Sequence, residues 1–213
     1  MSVKQLGTPF SPAALEGLGA KIEGPQEVRT ELVPFPHPAL SMPCLPVPDD
    51  AWENGVVQEL VDSLVQVREQ LAAMHVDSYG IAAPQVAIPF RAFVWDNNGA
   101  AMALINPEIV EASLAREAGP EECLSFLGRY HQLANRFDAG LSVQVFRSVR
   151  CVVRALTVDK ELVEVEAEGI IARMFQHEVD HLDGITMLDR LASRQMKRDA
   201  LRRWYKMHPE LKA

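Results

Sequence analysis

The sequence predicts an α+β fold: an N-terminal helix, a strand-rich middle, then two further helices. Three observations carry that expectation. Val56, Leu60, Leu64, Val67, Leu71 and Met74 recur at steps of four, four, three, four and three, the period of a helix with one apolar face. Residues 92–95, 101–105, 142–146, 149–158 and 161–167 are strand-like runs separated by turn formers. These runs do not alternate strictly with helices, which argues against a parallel α/β sheet.

Nine of the 14 prolines fall in the first 50 residues and four of the 12 glycines precede Gln26, so residues 1–31 read as an arm, extended or partly ordered. Residues 32–213 are expected to form one domain. Residues 34–40, Pro-Phe-Pro-His-Pro-Ala-Leu, read as extended chain laid over it, because a residue before proline is pushed out of the helical region. Asp50 with Glu53 is expected to cap the first helix. The chain then turns through residues 77–80. Asp96-Asn-Asn-Gly99 makes a hairpin of the first two strand runs, and Asp159-Lys160 turns between the last two. Residues 170–182 hold no proline or glycine and read as the second helix; the third runs from about Asp189 to Met207.

The chain has 213 residues and a mass of 23.7 kDa, which suits a single domain. Hydrophobic residues make up 48% and charged residues 23%, enough for a core and against wholesale disorder. A net charge of -8 argues against a protein that wraps DNA or RNA. No apolar run approaches the roughly 18 residues of a membrane span, and residues 1–10 lack an apolar signal core. Cys44, Cys123 and Cys151 are odd in number and widely spaced, which predicts reduced thiols and a cytoplasmic setting.

The sharpest chemical signal is Gln176-His-Glu-Val-Asp-His181 inside the second helix. Residues four apart share a helix face, so His177 and His181 can bind one metal ion. Glu178 sits about 100° around the helix, where a carboxylate can serve as proton carrier. Two histidines at this spacing also occur as surface or packed core residues; the Glu beside the first and the apolar neighbours sharpen the metal reading. A catalytic metal needs a third protein ligand. A zinc endopeptidase would supply it downstream, yet Met187 stands there, and Asp183, Asp189 and Glu210 lie too near on the helix or close to the chain end. Upstream, Cys123 in Glu121-Glu-Cys-Leu-Ser125 would serve as a thiolate. On the residues alone, ligand and buried core thiol both stay open for it. Cys44 among prolines and Cys151 in an apolar run read as packed thiols.

Gly80-Ile-Ala-Ala-Pro-Gln85, Glu121-Glu-Cys-Leu-Ser125 and Gln176-His-Glu-Val-Asp-His181, in this order and spacing, resemble the three signatures of peptide deformylases. Asn106-Pro107, residues 164–173, Leu182-Asp-Gly and Leu188-Asp-Arg190 extend the resemblance from about Leu32 to the C-terminus. It implies mixed or antiparallel sheets packed around a central metal-binding helix, and metal ligands Cys123, His177 and His181. The metal it implies is ferrous iron, replaceable by zinc, nickel or cobalt. The implied reaction is removal of the N-formyl group from N-formyl-methionyl peptides or nascent chains by attack of a metal-held hydroxide. Glu178 would be general base and then acid, and the Gln85 amide and the Leu124 N–H would be oxyanion donors. Gly80 would let the peptide backbone approach as an added strand. Ile170, Met174, Tyr79 and His177 are candidates, by position, for the pocket of the first side chain.

The chain departs from that pattern at Ser78 and Glu122, where the signatures carry glycine, and in residues 126–140, where a short Val/Ile-Pro connection is usual. Glu122 brings a charge toward the groove. These departures spare the presumed ligands and proton carrier, so they predict altered specificity before lost catalysis. A deformylase-like paralogue with another formylated substrate is therefore one alternative. A silent metal-bearing peptide-binding protein is the other, and the intact Glu178 and Gln85 speak against it. The C-terminal helix carries Arg190, Arg194, Lys197, Arg198, Arg202, Arg203 and Lys206. That face reads as a solvated surface or, given the resemblance, as a contact for the ribosome.

Overall fold

The helical spacing of residues 56–74 forms α1 (Val56–Ala73), which buries Val56, Val57, Leu60, Val61, Leu64, Val67 and Leu71. The computed structural model describes residues 32–74, 76, 78–97, 99–127 and 140–212. The expected arm, residues 1–31, and most of the divergent loop, residues 128–139, lie outside the described residues. The expected cap by Asp50 and Glu53 does not form. Asp49–Ala51 make a separate 3-10 turn, and Gly55 at φ 74° leads into the helix with no side-chain cap. That left-handed backbone is one glycine adopts readily.

Seven strands are seen among the described residues: β1 (Gly80–Ala82), β2 (Ala92–Asn97), β3 (Ala100–Ala112), β4 (Arg116–Glu121), β5 (Val143–Ser148), β6 (Arg150–Leu156) and β7 (Leu162–Glu168). β1-β2-β3-β6-β7 form one antiparallel sheet and β4-β5 a two-stranded one. The hairpin through residues 96–99 and the later runs form as the sequence predicts. β3 extends beyond its expected end, and β4 has no counterpart in the expected runs. In β3 the extension bends at Asn106, whose φ of 52° coincides with a shift in register against β6. The Asn106 side chain accepts from the Val47 N–H at 2.7 Å and donates to the Val47 C=O at 2.8 Å, pinning the extended N-terminal chain to the sheet. β4 reads Arg-Glu-Ala-Gly-Pro-Glu and lacks apolar alternation; its pairing with β5 makes it a strand.

α2 (Gly169–Leu182) is buried without interruption from Ala172 to Leu182. One face meets Phe93, Trp95 and Val153 of the large sheet, where Phe175 packs edge-on to Trp95 at 5.0 Å. α1 covers the opposite face of that sheet with Ile81, Val94 and Ile105. A third cluster sets Cys123, Phe126, Val143 and Val145 against Met187, Leu188, Ala200 and Trp204. The expected third helix is broken in two. Met187–Arg190 is a 3-10 turn in which Asp189 accepts from the N–H and hydroxyl of Thr186. α3 (Arg194–Met207) starts afresh after Ser193, whose hydroxyl accepts the Met196 N–H. No helix among the described residues is long and apolar enough to cross a membrane.

Candidate metal centre

The turn between β4 and the 3-10 turn Leu124–Phe126 delivers Cys123 to the face of α2 that carries His177 and His181. Cys123 Sγ lies 3.2 Å from His181 Nε2, and one ligand atom from each of the three residues falls within 4.8 Å of the other two. The two imidazoles stand edge to face with centroids 4.8 Å apart. One sulfur and two nitrogens, converging where little water reaches, fit a borderline divalent ion. The other two thiols lie elsewhere. Burial pushes Cys44 up to about 12 and Cys151 up to about 11, as suits packed, unreactive thiols.

The ring of His177 is set by Glu121, whose Oε2 lies 3.0 Å from Nδ1 and so leaves Nε2 for an ion. Burial works against the Glu121 charge, yet bonds from His177 and Arg147 hold its carboxyl down at about 2. Arg147 grips the carboxylate with Nε at 2.8 Å and Nη2 at 3.0 Å and reaches Asp180 with Nη1 at 2.5 Å. Arg190 closes the chain on Asp180 with Nε at 2.9 Å. Burial also opposes charge on both imidazoles. For His181, with the positive charge of His177 beside it, the pKa falls well below the usual value, which keeps the ring neutral as a ligand must be. For His177, bonds to Cys123 and Glu121 outweigh burial and raise the pKa well above it, a proton that metal binding would displace.

Glu178 is 4% exposed, and its Oε2 has no hydrogen-bond partner among the described residues. Burial pushes its carboxyl up to about 7, a value at which a group both takes and returns a proton at neutral pH. Gly80 packs directly on it. A Cβ built there would lie 2.9 Å from Glu178 Oε1 and 3.0 Å from Met174 Sδ. Gly80→Ala is therefore expected to displace the carboxylate and lower kcat by about 100-fold, the scale set by a small misplacement of a reacting group. Steady-state kinetics beside a melting curve check this; an unchanged kcat would mean that Glu178 has room to shift.

Gln85 is also buried. Its Oε1 accepts the Ala82 N–H at 2.9 Å, which fixes the amide so that Nε2 points to Cys123 Sγ and Ser125 Oγ, each at 3.5 Å. Leu124 opens its 3-10 turn, where first-turn N–H groups lack acceptors within the turn. Val33 N–H bonds to the Gln85 C=O and Phe35 N–H to the Ser125 C=O, both at 2.8 Å, so the N-terminal strap ties the two loops together.

Of the residues expected to meet the substrate, Met174 joins Glu178 and Gly80, whereas Tyr79 and Glu122 are exposed. Ile170 is 55% exposed. Ile171 lines, with Ser78 and Tyr79, a cavity of about 640 Å³ beside α1. Glu121, Arg147, Asp180 and Arg173 had no expected role. Two signals pointed to them. Glu121 is two residues before Cys123, and Arg147 occupies an inward position in the alternation Val143, Val145, Arg147.

Residues 29–197 match the family model for polypeptide deformylase. A peptide deformylase of Thermotoga neapolitana is 45% identical over 117 residues, which span 55% of this chain and 64% of that relative. One from Acidobacterium capsulatum is 33% identical over 183 residues, 83% of this chain and 94% of the relative. The solved Thermotoga maritima peptide deformylase is similar with a TM-score of 0.59 at 34% identity, covering 76% of this chain and 97% of that one. An inhibitor complex of the Plasmodium falciparum enzyme has a TM-score of 0.67 at 24% identity, a likeness of fold.

Proposed function

The chain belongs to the polypeptide deformylase family, metal-dependent hydrolases that remove the formyl group from peptides, and from that premise we propose that Cys123, His177 and His181 hold its metal and that Glu178, Gln85 and Leu124 carry out the hydrolysis. The observation that supports this best is the meeting of the sulfur–nitrogen cluster with a buried carboxyl titrating near 7. A divalent ion held by these three residues would supply Lewis acidity, making water a better nucleophile and drawing electrons from the formyl oxygen. Glu178 takes the proton of the attacking water on its unpartnered Oε2 and passes it to the nitrogen of the leaving amine. The Gln85 Nε2–H and the Leu124 N–H donate to the formyl oxygen as its negative charge grows. β1 is the edge strand of its sheet, so a peptide can pair along it with its formyl group beside Gly80.

The substrate is an N-formyl-methionyl peptide or nascent chain, the working compartment is the cytoplasm, and the resident ion is ferrous iron, which one thiolate and two imidazoles suit as well as they suit zinc. The assay is deformylation of formyl-Met-Ala-Ser by chain purified anaerobically with ferrous iron. Turnover above that of the metal-free chain is expected; metal uptake without turnover on any formyl peptide would overturn the assignment.

The cationic face of α3 is the proposed ribosome contact. Arg194, Arg198, Arg203 and Lys206 are exposed on it, while Lys197 pairs with Asp189 and Arg202 with Asp199. Binding to ribosomes is expected to weaken steeply as salt rises and to fall when Arg198 and Arg203 become glutamate. Salt-independent co-sedimentation would sink the idea.

A further inference from the structure

Arg173 lies one helical turn before His177 on α2, and only 6% of it is exposed. A guanidinium so buried must find acceptors. It finds them on the two-stranded sheet. Nη1 donates to the Val145 C=O at 2.8 Å and to Glu121 Oε1 at 3.1 Å, with a longer reach to the Gly119 C=O at 3.4 Å. Nη2 donates to the Glu117 C=O at 3.1 Å. Gly119 stands between these acceptors and opposite Val145. A Cβ built on it would lie 2.6 Å from Nη2 and 2.8 Å from Cζ, so the guanidinium occupies the space a side chain would take.

Arg173 and His177 are also neighbours four apart on one helix face. They donate to the two oxygens of one carboxylate, Arg173 to Oε1 and His177 Nδ1 to Oε2 of Glu121. Arg147 holds the same carboxylate from β5. Two contacts from α2 and a bidentate one from β5 leave Glu121 one orientation relative to the helix that carries the ring. We infer that Arg173 is a positioning residue for the metal centre, acting through Glu121 on the His177 imidazole, with Gly119 as the space its guanidinium requires. This inference rests on the metal-site reading above.

Groups that orient a ligand histidine typically matter 10–100-fold in metal affinity. The test is zinc affinity of the full chain, by competition with a chelator, for Arg173→Met alone and in a Glu121→Gln background. About a tenfold loss is expected in the first case and no further loss in the second, because the path through Glu121 is already cut. An equal loss in both backgrounds, or none in either, overturns the inference. If the Glu121→Gln chain does not fold, or the native chain takes up no zinc (which would sink the metal reading itself), the imidazole proton spectrum of the metal-free chain decides. The Nδ1–H resonance of His177 should be slow to exchange in the native chain and broadened in Arg173→Met; an unchanged resonance overturns the inference.

Discussion

Replacing Glu178 by alanine is expected to lower kcat/KM for formyl-Met-Ala-Ser by about 1,000-fold, within the range general acid–base groups contribute, with metal content unchanged. The prediction separates the two ways this side chain can matter. As packing, it lies with Met174 against Gly80. As chemistry, it holds a carboxyl that burial keeps near 7 with one oxygen unpartnered. An unpaired buried polar group costs about 1–3 kcal/mol, so truncation is not expected to lower the melting temperature much and can raise it. Glu178→Gln keeps the shape and loses the proton exchange. Both variants should be equally inactive while binding metal like the native chain. Activity surviving in the glutamine variant would assign Glu178 to packing and leave the proton transfer to another group.

The parts of this site that the sequence revealed are those whose chemistry requires particular residue types at fixed separations. Two imidazoles four residues apart can meet one ion because the helix has 3.6 residues per turn, and the rings of His177 and His181 converge here with the Cys123 sulfur. Gly80 was legible as a place of close approach, although its tightest neighbour is Glu178 itself. What stayed hidden depends on pairing across long separations. β4 contains Gly119 and Pro120 and gains its strand form only from the register with β5, Gly119 opposite Val145. That register sets Arg147 opposite Glu117 on the face that Glu121 shares, and the long Arg147 side chain reaches along it to the carboxylate that touches the His177 ring. Local signals also misled. Asp50 and Glu53 have the spacing of a cap, but a 3-10 turn and Gly55 intervene before the helix.

Cys123→Ala is expected to weaken metal binding by more than 100-fold and to abolish turnover at ordinary metal concentrations. Four-ligand structural zinc sites gain about 10–16 kcal/mol, so one ligand accounts for roughly 3 kcal/mol, and each 1.4 kcal/mol is tenfold in affinity. The fold should survive, because a single sulfur leaves a small cavity costing on the order of 1 kcal/mol. Cys44 and Cys151 provide the contrast: both are buried thiols, yet their titration at about 12 and about 11 marks them as protonated packing groups. Alanine at either position should leave metal affinity unchanged. Cobalt titration reads the difference directly, since a thiolate ligand gives an intense charge-transfer band that Cys123→Ala alone should remove. If the band and the affinity persist in that variant, Cys123 is a core thiol.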